Sequence, residues 1–134
     1  MEEYENQVYT AKTANVTLGE MLDMWIEEEL KPSSRSNGTL RSYLNTINRI
    51  KSYPISKRKL KTITVEHLQT FFDLLATGGS NDKGKEIKGL MHGTRHVYGA
   101  VLRGGFSFAV FPKKLISFNP MQYVVNRNQF FREH

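Results

Sequence analysis

Apolar residues recur at helical spacing in four separate stretches of the chain. In the first stretch they are Leu18, Met21, Leu22 and Trp25. Such spacing predicts an amphipathic helix. Thr17, followed three residues later by Glu20, forms the pattern of a capping box. We therefore expect a helix from Thr17 to about Leu30, ended by Lys31 and Pro32.

The next two helices are predicted by similar signals. Ser36 is a plausible N-cap for a second helix that runs from about Asn37 to Ser52. Its buried face is predicted to be Leu40, Tyr43, Leu44, Ile47 and Ile50, and its opposite face Arg41, Asn45 and Arg49. Thr64 is expected to cap a third helix with Leu68, Phe71, Phe72 and Leu75 inward, ended by Gly78 and Gly79. Between these two helices, Leu60 and Ile63 are expected to tuck under the core.

The fourth stretch, "LMHGTRHVYGAVLRGGFSFAV", contains glycines beside histidines and arginines. If Val97 marks the core direction, then Leu90, Thr94, Val101, Gly105, Phe108 and Ala109 face inward at 100° per residue. The opposite line is His92, His96, Gly99, Arg103 and Ser107. We expect Gly105 to allow close helix packing and Gly99 to leave room for an approaching backbone.

Together these patterns predict an all-α bundle of four main helices with a short C-terminal helix or turn near "LISFNP". The stretch "SNDKGKEIKG" is predicted to be a flexible loop before the fourth helix. Period-two alternation, which would indicate strands, is missing apart from a few residues near Leu60.

Composition limits the kinds of partner. The 134 residues carry 19 Lys and Arg against 13 Asp and Glu, a net charge of +6, which draws nucleic acid or an anionic surface. No cysteine is present, so disulfides and thiol chemistry are excluded. The acidic N-terminus is no signal peptide, and no apolar run is long enough to span a bilayer. Acidic residues cluster between Glu20 and Glu29, away from "KRKLK" and the basic fourth segment.

Three interpretations of the fourth segment compete. His92 and His96 are four apart, as in zinc sites, but the chain has no H-E-x-x-H and few further ligands. Histidines on a solvated structural helix are the second interpretation. In the third, the segment is part of a DNA-binding surface.

The DNA-binding interpretation accounts for more of these residues than the other two interpretations do. If the second and fourth helices are neighbours, their polar faces and the basic connection form one surface that neutralises phosphates and reaches base edges. The candidate DNA-binding residues are Arg41, Asn45, Arg49, Lys57, Arg58, Lys59, His92, His96 and Arg103. No acid-base pair or phosphate loop suggests catalysis, and we expect no catalytic residue, metal or cofactor. The alternative is a helical protein-protein interaction module whose acidic first helix docks a partner and whose basic face is only solvated.

The order of "VTLGEMLDMWIEEEL", "SNGTLRSYLNTINRI", "LKTITVEHLQTFFDLL" and "GTRHVYGAVLRGGFSFAVFPKKLISFNP" resembles the N-terminal core-binding domain of phage-type integrases of the tyrosine recombinase family. The resemblance covers about Val16 to Pro120. It implies a SAM-like helical domain that forms half of a clamp around duplex DNA at the core recombination site. It also implies contacts with other integrase protomers, a bacterial cytoplasmic location, and no membrane or small-molecule substrate.

The resemblance also suggests a domain organisation. Residues 1–15 are expected to be a flexible lead-in, 16–120 the core-binding domain, and 121–134 the start of a linker. The catalytic domain of the family lies downstream and has no room in this chain, so Tyr123 is not assigned as its nucleophile. By this interpretation the fragment is not an enzyme, while its parent is a tyrosine recombinase.

Overall fold

The computed structural model describes residues 15–33, 35–80 and 86–125, with the backbone alone at 79–80 and 86–88. Four α-helices dominate these residues: α1 (Leu18–Trp25), α2 (Asn37–Lys51), α3 (Val65–Thr77) and α4 (His92–Val110). The first continues as a π-helical turn, Ile26–Leu30. Short 3-10 helices span Pro54–Lys57, Leu60–Thr62 and Pro120–Tyr123. The predicted all-α bundle of four main helices with a short C-terminal helix is confirmed.

The helix starts follow the capping signals of the sequence. Thr17 and Glu20 form the predicted capping box, and the Ser36 hydroxyl accepts the backbone N–H of the residue three positions on. Thr64 caps α3, and its own N–H donates to Nδ1 of His67 at 3.0 Å. His67 therefore completes a second capping box, a role for which the sequence pattern gave no reason to expect a histidine.

The loop predicted over "SNDKGKEIKG" is wrong in part, because two short strands form there. Strand β1 (Gly78–Ser80) pairs antiparallel with β2 (Glu86–Lys88). Gly78, with φ of 80°, turns the chain out of α3 into β1. Gly89 lets the returning chain pass the helix end, since a Cβ there would lie 2.2 Å from the carbonyl oxygen of Ala76. Residues 81–85 lie outside the described residues.

The core lies where α1 and α4 cross beneath the segment that joins α2 to α3. Leu60 and Ile63 are buried in that segment, as predicted. The last turn of α4 packs on α1 through glycine, because a Cβ on Gly105 would lie 2.9 Å from Cδ2 of Leu22. The predicted packing role of Gly105 is thus confirmed. Apolar side chains buried in the core include Leu18, Met21, Leu22, Trp25, Ile47, Ile50, Leu68, Phe71, Phe72, Leu75, Tyr98, Val101, Leu102, Phe106 and Phe108.

The core direction predicted for α4 needs correction. Val97, Leu90 and Thr94 are only half-buried, whereas Tyr98 and Leu102 are fully enclosed. At 100° per residue, the true centre of the buried face lies about a quarter turn from Val97. The error has a physical reason, since aromatic Tyr98 and small Gly105 set the packing against α1 and α3, and periodicity alone cannot weigh them.

The residues after α4 fold back onto the bundle. Asn119 is buried and donates from Nδ2 to the Arg103 carbonyl at 3.1 Å and to the Ser107 hydroxyl at 3.0 Å. Further on, the Gln69 side chain exchanges two hydrogen bonds with the backbone of Val125, at 2.8 and 2.9 Å. Residues 121–125 therefore pack with the helices. The predicted linker start stays a prediction. Residues 126–134 lie outside the described residues, and so do residues 1–14 of the lead-in predicted over 1–15.

Candidate nucleic-acid interface

Helices α2 and α4 are neighbours, as the predicted surface requires. An open groove of about 380 Å³ runs between them. Its walls are Gly38, Thr39, Ser42 and Tyr43 from α2, and His96, Val97 and Ala100 from α4. Most of these side chains are small, so the two helices present one shallow surface. We call the polar sides of these two helices the α2–α4 face and define it by Arg41, Asn45, Arg49, His92, His96 and Arg103, of which His96 lines the groove itself.

The α2 part of this face is exposed along its whole length. Arg41, Asn45 and Arg49 all lie on the solvent side of the helix, as predicted. Arg49 also lies close enough to the buried Tyr98 of α4 to act on the pKa of its hydroxyl. Burial, helped by the nearby Tyr53, raises that pKa above its ordinary value of 10.0, while Arg49 acts in the opposite direction. The hydroxyl stays protonated at neutral pH, and Arg49 lies at the junction of the two helices.

The α4 part of the face is less uniform. His96 and Arg103 are exposed, and His92, at the first position of the helix, is half-buried. Gly99 is half-buried too, and a Cβ there would meet only the Phe72 ring, at an ordinary 3.9 Å. The fold itself does not require glycine at this position. The predicted role of Gly99 in letting a partner backbone approach stays a prediction.

Lys57, Arg58 and Lys59 are exposed but belong to another edge of the molecule. The Leu18 N–H donates to the Arg58 carbonyl at 3.1 Å, and Lys59 forms an isolated antiparallel bridge with Thr17. These bonds fix the basic connection beside the start of α1. It does not line the groove between α2 and α4.

Charge is segregated between α1 and the predicted surface. Three acidic residues of the first helix and its π-turn pair with lysines at 2.8 to 3.1 Å, in the pairs Glu27 with Lys31, Asp23 with Lys51, and Glu28 with Lys113. Among the described residues, no ion pair engages the six lysines and arginines predicted to bind DNA. Among the described residues, positive charge without an ion pair therefore lies on α2, α4 and the basic connection, and also on the exposed Arg35, Lys61 and Lys114.

One cationic residue of α4 was missed by the sequence analysis. Arg95 is 3% exposed and sits beneath the α4 side of the face, against a second groove that also contains His96, Gly99 and Arg103. A charged residue is assigned to solvent by default, and the misplaced core direction reinforced that assignment. Only the corrected helix phase, centred near Tyr98 and Leu102, would have placed Arg95 inside.

The part of the chain that the structure describes supports neither a metal site nor a membrane-spanning helix. There, no group of three or more His, Asp or Glu residues is arranged to hold a metal ion. Nor does any helix of these residues combine the length and apolar character needed to cross a membrane.

Comparison with known families finds a match for the part of the chain that contains α2, one of the two helices of the α2–α4 face. The family model described as "Phage integrase, N-terminal SAM-like domain" matches residues 17–75, which comprise α1, α2 and most of α3. Residues 17–75 are therefore similar to the N-terminal SAM-like domain of the phage integrases. Helix α4 lies beyond the matched residues. No curated protein and no solved structure matches the chain.

Proposed function

We propose that this domain binds duplex DNA through the α2–α4 face, as the N-terminal half of the DNA clamp of a site-specific tyrosine recombinase. The observation that carries the proposal is that α2 and α4 are neighbours and each exposes cationic side chains, Arg41 and Arg49 on α2 and Arg103 on α4. Phosphates attract such a surface electrostatically and release counterions when it binds. The family match supports a role in recombination.

Within this proposal, the residues of the face have different tasks. Arg49 lies beside Tyr98, where α2 meets α4, and its planar guanidinium matches a phosphate or a guanine edge with two parallel hydrogen bonds. Asn45, exposed on the same side of α2, carries an amide that matches the donor and acceptor of an adenine edge. Arg41, His96 and Arg103 border the same surface and contribute phosphate contacts.

Lys57, Arg58 and Lys59 extend the proposed contact beyond the groove. They sit at the start of α1, so they reach the DNA backbone at a different point from α4. Contacts of this kind fix the register of a protein on the duplex but read no sequence. Specific binding to a core recombination site then depends on the residues of the α2–α4 face.

The chemistry of strand exchange is assigned to a different part of the proposed recombinase. The fragment contributes no catalytic residue in this proposal. Its task is to hold the DNA on one side while a catalytic domain, in the parent protein, acts on the other. Contacts with other integrase protomers belong to the same proposal.

Charge reversal on the face tests the proposal. Fluorescence anisotropy would measure duplex binding by the wild type, by Arg49→Glu, by Arg103→Glu and by the double variant. We expect the double variant to bind on the order of 100-fold more weakly, since each lost contact costs about 1–3 kcal/mol. We also expect the slope of log K against log salt to become shallower by about one unit per lost phosphate contact.

Lys31→Glu is the matched control, because it makes the same change in charge on an exposed residue that directly follows the acidic π-turn. It should bind the duplex nearly as the wild type does. If Lys31→Glu and Arg49→Glu weaken binding equally, only net charge matters and the assigned face is wrong. If no variant, nor the wild type, binds any duplex, a protein-protein interaction module becomes the better description.

A further inference from the structure

Within the part of the chain that the structure describes, Arg95 is a buried cation without a counter-charge. It is 3% exposed, and its Nη1 donates to the carbonyl oxygen of Leu90. Its Nε and Nη2 have no hydrogen-bond partner, and no acidic side chain of the described residues pairs with it. Burying a guanidinium in this way is unfavourable unless a partner completes it. The two free donors of Arg95 are therefore available to an acceptor that does not belong to the helical bundle.

The orientation of the free donors suggests the chemistry of that group. Nε–H and one N–H of Nη2 lie on the same edge of the planar guanidinium and point the same way. This edge is the fork that binds two oxygens of a carboxylate or phosphate side by side. The opposite corner of the group, Nη1, is anchored by Leu90, so the fork is held in a defined direction.

The surroundings of the fork favour an anion. Arg95 lines a groove of about 270 Å³ between α4, α3 and the C-terminal segment. The other residues that line it are Phe72, His96, Gly99, Arg103, Met121, Val124 and Val125, none of them acidic. The exposed Arg103 and His96 stand at the mouth of the groove. Three cationic or protonatable side chains thus meet around one cavity, and Gly99 between them adds no side chain to fill it.

We propose that this groove is a phosphate-binding subsite, in which the Arg95 fork takes two non-bridging oxygens of a DNA phosphodiester and Arg103 and His96 contact the same group. This inference rests on the proposed function and specifies one contact within it. Both fork atoms are enclosed in the structure, so a groove wall must move for the phosphate to enter. Val124 and Val125 form the part of the lining that comes from the C-terminal segment, and two hydrogen bonds between the Gln69 side chain and the Val125 backbone hold this wall against α3.

Inorganic phosphate serves as the first probe, with thermal unfolding as the readout. A ligand that binds the folded state raises the unfolding midpoint, and phosphate also stabilises proteins generally by exclusion from their surface. The comparison is therefore between variants, each measured in phosphate and in chloride at equal ionic strength. Arg95→Met fills the same space without the charge, and Lys31→Met removes one positive charge elsewhere. We expect phosphate to stabilise the wild type and Lys31→Met by more than it stabilises Arg95→Met.

Equal stabilisation of all three proteins would overturn the inference. Arg95→Met should fold well, because an apolar side chain replaces an uncompensated buried charge. If it does not fold, Arg95→Lys keeps the charge but lacks the planar fork, and its gain from phosphate should also fall below that of the wild type. Gln69→Ala releases the wall and should strengthen the phosphate effect. An unchanged effect would contradict the role given to Val124 and Val125.

Duplex binding separates this inference from the proposed function. Arg95→Met should bind the duplex about tenfold more weakly, with a salt slope about one unit shallower. If Arg95→Met binds like the wild type while the Arg49→Glu, Arg103→Glu variant does not, the subsite is wrong and the DNA-binding face stands. If phosphate discriminates between the variants but no duplex binds, the groove serves a free phosphate and the proposed function fails.

Discussion

At the scale of single residues, two consecutive glycines of α4 decide how closely α1 approaches it. A Cβ on Gly104 would lie 2.6 Å from Cζ2 of Trp25, and one on Gly105 would lie 2.9 Å from Leu22. The indole cannot easily retreat, because its Nε1 donates to Glu29 at 3.0 Å and its ring packs beside Tyr43. The sequence predicted the role of Gly105 and missed that of Gly104.

Gly104→Ala should therefore destabilise the protein. We expect the free energy of unfolding to fall by about 1–3 kcal/mol, the usual cost of overpacking a core. Gly93→Ala is the control, because a Cβ there meets nothing within 4 Å. It should be neutral or stabilising by up to about 1 kcal/mol through helix propensity. Urea denaturation measures both, and equal losses would show that Trp25 does not limit the approach of α1.

Tyr98 links stability to alkaline pH. Burial raises the pKa of Tyr98 above 10.0 in the folded protein, so above pH 10 the unfolded chain ionises first. The stability contributed by the neutral hydroxyl is complete below pH 10 and is lost as the pH rises through the folded-state pKa. In urea denaturation, the difference in unfolding free energy between the wild type and Tyr98→Phe should be constant below pH 10. Above it, the wild type should lose stability relative to the variant, and a relative gain would contradict the assignment.

At the scale of elements, local signals predicted where the helices begin, but tertiary contacts decided how they pack. Thr17, Ser36 and Thr64 each cap a helix as the sequence indicated. A cap acts within four residues, so it is visible in the sequence. The core direction of α4 and the pairing of β1 with β2 depend on residues from other elements, which no local pattern contains. The burial of Arg95 could not be predicted for the same reason.

Asn119 shows how one side chain joins two elements. It binds the Arg103 carbonyl and the Ser107 hydroxyl of α4, and its Oδ1 accepts the Met121 N–H at 2.9 Å. Asn119→Ala should lower the free energy of unfolding by about 1–3 kcal/mol, because buried partners are left unsatisfied. Ser117→Ala, at an exposed neighbouring position, should change it by less than about 0.5 kcal/mol. Chemical denaturation that finds the two variants alike would show that Asn119 does not hold the C-terminal segment.

At the scale of the whole molecule, the arrangement of charge supports the proposed DNA-binding face. Asp23, Glu27 and Glu28 of α1 and its π-turn pair with lysines of the same chain. Among the described residues, Arg41, Arg49 and Arg103 of the α2–α4 face form no ion pair. The sequence could predict both stripes from periodicity. It could not establish that α2 and α4 are adjacent, because that depends on the packing of the whole bundle.

The family match covers α2, and the structure adds α4 to the proposed DNA-binding face. Residues 17–75, which comprise α1, α2 and most of α3, match the integrase N-terminal SAM-like family model. Helix α4 lies outside the match, and it enters the proposal through its contact with α2 along the groove. A direct test must therefore report on both helices at once.

Mapping the duplex contact by amide NMR is that test. Titrating a duplex into the ¹⁵N-labelled protein should shift amide signals along α2 from Arg41 to Arg49 and along α4 from His96 to Arg103. Signals from Glu20 to Glu29 on the acidic first helix should stay in place. Shifts confined to that helix, or spread evenly over the bundle, would contradict the account that the α2–α4 face binds DNA.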